Sequence, residues 1–302
     1  MNVTNSMTVD VEEYFHPEEV RRSVPVSRWS TLPSRVGEQV DVVLDIFERN
    51  HVRATFFILG WVAERHPKLV RRIASRGHEI ACHSYAHRLV YDLSPAEFRH
   101  DTIRAVSAIE DACGVTPTSY RAPSYSITES SRWALDILVE LGFTHDSSIY
   151  PIAHDRYGIP GFYRHAAVLQ TPSGPIQEVP IATVKVGKIA VTPIGGGGYL
   201  RLLPYCYTAA GIRRVNREEG KSVCIYLHPW ETDVEQPKLA SSLISRLRTY
   251  HGLSGMAGKV ERLVRDFDFS TLTSVFPGPA PSLVPAGRHV SMQLREARAF
   301  GR

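Results

Sequence analysis

The sequence has no apolar run long enough to cross a membrane. Its longest, at residues 54–63, is about half the length that a membrane-spanning helix needs, which excludes an integral membrane protein and favours a buried strand. The N-terminal segment MNVTNSMTVDVEEYF lacks the basic region, apolar core and small-residue cleavage site of a signal peptide. We therefore expect a cytoplasmic protein.

Cysteine and net charge are scarce as well. The chain has four cysteines, none of them in a C-x-x-C pair, so we expect buried thiols rather than a disulfide framework. The net charge of +4 is small for 302 residues, and no stretch interleaves basic and aromatic residues. The small net charge and the lack of such a stretch exclude nucleic acid as a partner.

Helical and extended patterns alternate along the first half of the chain. Apolar residues at helical spacing in residues 36–47 predict a helix, and the continuous apolar run at residues 52–59 predicts a strand buried on both faces. Pro67 begins a second helix, and Ser94-Pro95-Ala96-Glu97 is a capping box that begins a third. This alternation predicts an α/β fold with a parallel sheet.

Residues able to carry out chemistry recur where the predicted strands end. His83 and His87 follow the apolar run at residues 77–82 and have a spacing suited to metal binding, while Asp10 and Glu12 share one face at the end of the first strand. Similar positions after later strands hold Arg121, Asp146 and His228. Taken singly, each could be a solvated acid, a surface arginine or a hydrogen-bonded histidine. In a parallel α/β barrel, however, all seven would lie on the face where active sites are built.

These residue types together can carry out the hydrolysis of an amide or ester. A metal ion held by one carboxylate and two imidazoles would lower the pKa of a bound water and polarise a carbonyl group. A second carboxylate could take the proton of the water, and a separate histidine could protonate the leaving group.

The second half of the chain carries three features of interest. Residues 149–165 are irregular and rich in aromatic side chains, which favours ligand binding or a packed Ω-loop. The run Gly195-Gly196-Gly197-Gly198-Tyr199-Leu200-Arg201 lacks the ending of a phosphate-binding loop and predicts a sharp turn or a close backbone approach.

Strands are predicted at 176–180, 183–191 and 222–227, and helices at 239–250 and 256–267. Residues 1–276 are expected to form one catalytic domain, and the Pro-rich residues 277–302 a disordered tail.

In order and spacing, several motifs resemble those of polysaccharide deacetylases with NodB homology, in carbohydrate esterase family four. They are Ala54-Thr55-Phe56-Phe57, Gly77-His78-Glu79-Ile80, His83-Ser84-Tyr85-Ala86-His87, Arg121-Ala122-Pro123 and Leu227-His228. The resemblance implies a distorted (β/α) barrel of the NodB-homology type, a single domain with extra C-terminal helices. The glycine run, His228-Pro229-Trp230-Glu231 and the two later helices further resemble a subgroup linked to bacterial exopolysaccharide synthesis and exosortase systems.

The resemblance also implies roles for the matching residues. His83 and His87 would bind the metal, His228 would be the general acid, and Arg121 would orient the catalytic carboxylate. The loop at Ser124 and Tyr125 would offer a backbone N–H group to the oxyanion beside the metal. Residues assigned to substrate binding are Tyr125, Asp146 and Trp230.

The first and fourth motifs depart from the family pattern. The family has two adjacent aspartates, whereas Thr8-Val9-Asp10-Val11-Glu12 has two acids separated by one residue. We assign Asp10 as the catalytic base and Glu12 as the third metal ligand, although the two roles could be exchanged. The aspartate and tryptophan that support the acid histidine have no match, which leaves the partner of His228 open, with Asp146 and Glu178 as candidates.

We therefore expect a metal-dependent N-deacetylase, a hydrolase acting on carbon-nitrogen bonds other than peptide bonds. Its substrate would be N-acetylhexosamine units of a bacterial polysaccharide or its precursor, and its metal zinc, with cobalt, nickel or manganese as alternatives. Association with membrane-bound polysaccharide synthesis machinery would fit that role. Two other interpretations remain: a deacylase or amidohydrolase of a small amide, and a non-catalytic glycan-binding barrel.

Overall fold

The computed structural model describes residues 3–21, 23–187 and 190–279. Within these ranges the strands are β1 (Asn5–Val11), β2 (Thr55–Ile58), β3 (Glu79–Cys82), β4 (Ser119–Tyr120), β5 (His145–Asp146), β6 (Ala167–Thr171), β7 (Gly174–Glu178), β8 (Thr183–Val186), β9 (Ala190–Pro193), β10 (Cys224–Leu227) and β11 (Phe269–Ser270). The α-helices are α1 (Glu18–Arg21), α2 (Val36–Arg49), α3 (Gly60–Arg65), α4 (Pro67–Ser75), α5 (Pro95–Cys113), α6 (Trp133–Glu140), α7 (Gly197–Leu202), α8 (Tyr205–Glu218), α9 (Leu243–Tyr250), α10 (Met256–Asp266) and α11 (Leu272–Val275).

Seven strands of the central sheet pair in parallel in the order β10, β1, β2, β3, β4, β5 and β7, and β11 pairs in parallel with the start of β1 outside this series. A single parallel bridge between Ile181, just after β7, and Cys224 of β10 joins the two ends of this series. The seven strands therefore surround one interior, and the prediction of an α/β fold with a distorted barrel is confirmed. β6 adds to β7 in the antiparallel direction and lies outside the ring.

Amphipathic helices cover the outside of the barrel. In α2 the apolar residues at helical spacing, including Val36, Val40 and Phe47, are fully buried, as the sequence predicts. Burying each such side chain contributes roughly 1.5–3 kcal/mol of transfer free energy. α5 begins at the predicted capping box, in which Ser94 accepts from the backbone N–H of Glu97 and the Glu97 carboxylate accepts from that of Ser94.

The apolar run at residues 54–63 is not one strand. β2 ends at Ile58, and α3 begins at Gly60, where a Cβ atom would lie 2.7 Å from the backbone of Ala105 in α5. The two helices approach so closely there that only glycine fits. Composition alone does not distinguish a buried strand from a strand followed by a buried helix.

Two further expectations need correction. The predicted strand at residues 183–191 is a hairpin, in which β8 and β9 pair antiparallel. β6 was not predicted, because none of its five side chains is fully buried and its apolar run is only three residues long. The four thiols are all free, but only Cys82 and Cys224 are buried, while Cys113 is half-buried and Cys206 exposed.

The predicted C-terminal helices are α9 and α10. The predicted disordered tail falls almost wholly outside the described residues, so the division at residue 276 stays a prediction. Among the helices of the described ranges, none combines the length and the apolar character required to span a bilayer.

The glycine run forms a sharp turn that packs against β10. Gly196 has a φ of +102°, and a Cβ atom built on it would lie 2.0 Å from the ring of Tyr226. This position therefore tolerates no side chain, for reasons of both space and backbone conformation.

We expect Gly196→Ala to lower the free energy of unfolding by about 2–4 kcal/mol, because the methyl group overlaps the Tyr226 ring and strains a left-handed backbone. Urea denaturation measures the loss. Gly198→Ala is the matched control, since the nearest atom to its Cβ position lies 3.8 Å away. Equal stability of the two variants would contradict this account of the turn.

Candidate active site

A cavity of about 320 Å³ lies at the carboxyl ends of the barrel strands. Five polar side chains on its wall lie at or just after the ends of three strands. They are Asp10 in β1 and Glu12 just after it, His83 and His87 in the segment after β3, and His228 in the residue after β10. Parallel strands deliver their carboxyl ends to one face, so residues far apart in sequence meet there.

Glu12, His83 and His87 form a cluster with the geometry of a metal site. The Nε2 atoms of both histidines lie 3.0 Å from the same Glu12 Oε1, and all three side chains are buried. Their ligand atoms lie within 4.8 Å of one another, and no other group of three or more such side chains within the described ranges meets this criterion. One carboxylate and two imidazoles are a donor set that divalent zinc accepts.

The orientation of His83 is fixed by the backbone. Its Nδ1 donates across 2.8 Å to the carbonyl oxygen of Arg121, which can only accept, so Nε2 is the ring nitrogen that faces Glu12 and would bind a metal ion once it has lost its proton. His87 has a φ of +52°, and Arg21 donates to its carbonyl oxygen. A non-glycine residue in the left-handed region is costly and is found most often at functional sites.

The cluster favours the ionised carboxylate. Burial would raise the pKa of Glu12, but the charges of His87 and His228 and the hydrogen bonds from both imidazoles hold it well below its usual range. Glu12 is therefore ready to bind a cation at neutral pH.

Asp10 makes a buried ion pair with Arg121. The Nη1 atom of Arg121 donates to Asp10 Oδ1 and to Thr8 Oγ1, both at 2.7 Å. Its remaining nitrogens reach Ser147 on the opposite side of the barrel, and its guanidinium lies over the ring of Phe57. Arg121 thus holds one oxygen of Asp10 and leaves Oδ2 directed to the cavity, 4.0 Å from His228 Nε2.

His228 has a partner that the sequence analysis missed. Its Nδ1 lies 3.1 Å from Glu231 Oε2, and Glu231 Oε1 accepts a hydrogen bond of 3.1 Å from Nε of the buried Arg201. Burial lowers the pKa of His228, but the charges of Glu12 and Glu231 outweigh it and raise the value to about 9. Glu231 stands three residues after His228, a spacing that a helical turn brings together and that was the available signal.

The two candidates for that partner lie elsewhere. Asp146, which is also assigned to substrate binding, is fully buried, accepts from Ser148 and does not line the cavity, so the structure does not bring it together with the other predicted site residues. Burial and the charge of Asp146 raise the pKa of Glu178 well above its usual range. Asp146 accepts hydrogen bonds from Ser148, and Glu178 accepts one from the backbone N–H of Ile149. The Ser148 hydroxyl in turn accepts from the backbone N–H of Ala122, next to Arg121.

Aromatic side chains form much of the remaining wall. Tyr125 and Trp230 line the cavity as predicted, and Tyr157 comes from the irregular aromatic segment. Tyr199 and Tyr226 were not predicted. Tyr226 lies in β10, two residues before His228, so the period of two could have identified it.

The turn after Arg121 was expected to offer a backbone N–H group to the oxyanion from Ser124 or Tyr125, and the structure agrees only in part. Ser124 and Tyr125 both have positive φ, of +50° and +53°. The N–H of Tyr125 donates to the carbonyl oxygen of Ala122 within the turn, so this group does not face the cavity as a donor. Ser124, which lines the cavity, stays the predicted donor.

Comparisons with known proteins agree with the resemblance drawn from the motifs. Residues 32–145 match a family model described as polysaccharide deacetylase, and residues 147–277 match a domain of unknown function, DUF3473. Asp10 and Glu12 precede the first match, whereas Arg201, His228 and Glu231 lie in the second. The altered first motif and the unforeseen partner of His228 thus both lie outside the deacetylase match.

Two curated relatives show the same similarity over part of the chain. A peptidoglycan-N-acetylglucosamine deacetylase of Bacillus cereus is 35% identical over 31% of this chain and 34% of its own length. A chitooligosaccharide deacetylase of Bradyrhizobium is 37% identical over 32% of this chain and 42% of its own length. The aligned segments thus span well under half of each relative.

The likeness to solved structures extends over the whole fold. The structure of an allantoinase aligns over 90% of this chain and 88% of its own, with a TM-score of 0.61 and 14% sequence identity. At that identity the similarity is one of fold alone.

Removing the charge of Glu231 is expected to lower the pKa of His228. In Glu231→Gln the imidazolium loses an adjacent carboxylate, so protonation becomes less favourable and the pKa should fall from about 9 by roughly 1 unit or more. Because the native pKa is raised, the contribution of this ion pair to folding stability is lost as pH rises through about 9. Heteronuclear NMR titration of the metal-free protein measures the value.

Glu235→Gln is the control for this titration, since Glu235 is exposed and has no contact with His228 among the described hydrogen bonds and ion pairs. Its His228 should titrate as in the unsubstituted protein. A pKa in Glu231→Gln equal to that of the control would show that Glu231 does not set the basicity of His228.

Proposed function

We propose that this chain is a metal-dependent N-deacetylase, because residues 32–145 match the polysaccharide deacetylase family model. It removes acetyl groups from N-acetylhexosamine units of a bacterial polysaccharide or of its precursor. The proposal rests on one observation: three groups of side chains lie around one cavity. They are the Glu12, His83 and His87 cluster, the Asp10–Arg121 ion pair, and His228 with its carboxylate partner.

Glu12, His83 and His87 would hold the metal ion, with zinc preferred and cobalt, nickel or manganese as alternatives. The chemistry that such an ion supplies when bound is polarisation of the amide carbonyl and acidification of a water molecule. The structure supports this assignment of the two acids, because Glu12 contacts both imidazoles whereas Asp10 is engaged by Arg121.

Asp10 and His228 each carry out one of the two proton transfers. Asp10, with one oxygen held by Arg121, takes a proton from the attacking water through its other oxygen. His228, protonated at neutral pH, gives a proton to the sugar nitrogen as the carbon-nitrogen bond breaks. The products are acetate and the free amine, and Asp10 and His228 return to their starting states by exchanging one proton with solvent.

The aromatic wall supports a saccharide as the substrate. Tyr125, Tyr226 and Trp230 offer flat apolar faces beside the polar cluster, and sugar rings pack their C–H faces on such surfaces. The exopolysaccharide setting follows from the motif resemblance of residues 195–201 and 228–231 to the subgroup linked to that pathway, and it belongs to the same proposal.

Metal binding is the first test. We expect metal-stripped protein to bind about one zinc ion per chain in calorimetric titration, and His83→Ala to weaken binding by roughly 100-fold or more, because an inner ligand is lost. His100→Ala is the control, since His100 is an exposed residue of α5. Equal zinc affinity in the two variants would exclude the proposed ligand set.

Acetate release from N-acetylglucosamine oligomers is the second test. The zinc-loaded protein should release acetate, and Asp10→Asn and His228→Gln should each lower kcat by about 10²–10⁴-fold, because each removes one proton transfer. Both variants should keep their zinc. A protein that binds zinc and the oligomer without releasing acetate would be a glycan-binding barrel, and the proposed activity would be wrong.

A further inference from the structure

α9 presents an apolar face to solvent. Leu243, Ile244 and Leu247 are 86%, 66% and 59% exposed, and they are the three most exposed large aliphatic side chains among the described residues. Positions i, i+1 and i+4 lie on one side of a helix, so the three side chains form a single patch. Only Thr249 of this helix is buried, which means that α9 contributes little to the core.

The segment of the chain that carries this patch is basic. Residues 236–260 contain no aspartate or glutamate, while Lys238 and Arg246 are exposed cations. Arg248 is half-exposed, and Glu19, 3.5 Å away, is the acid that faces it. An apolar helix face flanked by cations is complementary to a surface that is apolar inside and anionic at its boundary.

The patch adjoins the mouth of the cavity. Arg248 and Thr249 of α9 line the cavity, as does Leu202, which is also exposed. Arg201 holds the carboxyl end of α9 by donating to the carbonyl oxygens of Arg248 and His251. Whatever covers the patch therefore lies next to the residues that line the cavity.

We propose that α9 docks on the surface of an anionic lipid bilayer. Leu243, Ile244 and Leu247 enter the boundary between headgroups and acyl chains, and Lys238 and Arg246 contact the lipid phosphates. A protein partner fits less well, because a stable interface buries about 800 Å² and some 20 to 30 residues on each side, whereas this patch consists of three aliphatic side chains.

Vesicle binding by the 302-residue chain tests the docking and requires no turnover. Cosedimentation with vesicles of equal parts phosphatidylglycerol and phosphatidylcholine should capture the protein. The variant with Leu243→Ser, Ile244→Ser and Leu247→Ser should bind roughly tenfold more weakly or worse, because the apolar contact is lost. Lys238→Gln with Arg246→Gln should weaken binding to these vesicles and change little on phosphatidylcholine alone.

A matched triple variant controls for the loss of exposed apolar side chains in general. Val42→Ser, Val115→Ser and Val168→Ser alter exposed valines on other elements and should leave vesicle binding unchanged. Thermal unfolding at the same temperature in all variants shows that the fold is intact. Because acetate release from soluble oligomers is measured separately, failure of docking and failure of the proposed activity are distinguishable.

Three results would overturn the docking proposal. The unsubstituted protein would not sediment with anionic vesicles, or the α9 variant would bind as tightly as the valine control. Alternatively, light scattering without lipid would detect a dimer that the α9 variant converts to a monomer, in which case the patch is an interface between two copies of the chain.

Discussion

The buried ion pair between Asp10 and Arg121 is the constraint on which the site depends. Arg121 follows β4, yet it contacts the side chains of Thr8 and Asp10 in β1 and both the hydroxyl and the carbonyl oxygen of Ser147 after β5. Taking both charges out of water costs several kcal/mol, and only a complete set of hydrogen bonds compensates. Removal of one partner would leave a buried charge and cost about 3–5 kcal/mol. The hydrogen bonds that compensate for burying the charge of Arg121 therefore also fix the orientation of the Asp10 carboxylate.

Each carboxylate of the site has a different cationic or imidazole partner. Asp10 is held by Arg121, Glu12 by His83 and His87, and Glu231 lies between His228 and Arg201. Carboxylates that share one environment compete for protons, whereas separate partners allow separate protonation states. This separation supports one acid as a ligand, one as a base and one as the support of a proton donor, all within a single cavity.

The parts of the site that follow local rules could be predicted from sequence. Strand-end positions and the spacing of His83 and His87 identified the cluster, because parallel strands deliver their ends to one face. The contact of Arg201 with Glu231 was not accessible, since the two residues are 30 apart in the chain and meet only through the packing of α7 on the turn after β10. Asp146 does not line the cavity, and its position at a strand end could not show this, because that position does not tell whether a side chain faces the cavity or the layer behind it. Boundaries such as that between β2 and α3 depend on close contact with α5, which no local pattern records.

Arg201 connects two features that are otherwise separate. One nitrogen of its guanidinium donates to the carboxylate beside His228, and the other two donate to the carboxyl end of α9. A displacement of α9 that alters these bonds also alters the electrostatic potential at the imidazole, and by thermodynamic reciprocity protonation of the imidazole then affects the position of the helix to the same extent. The basicity of a group inside the barrel is thereby linked to the state of a surface helix, and one side chain provides the coupling.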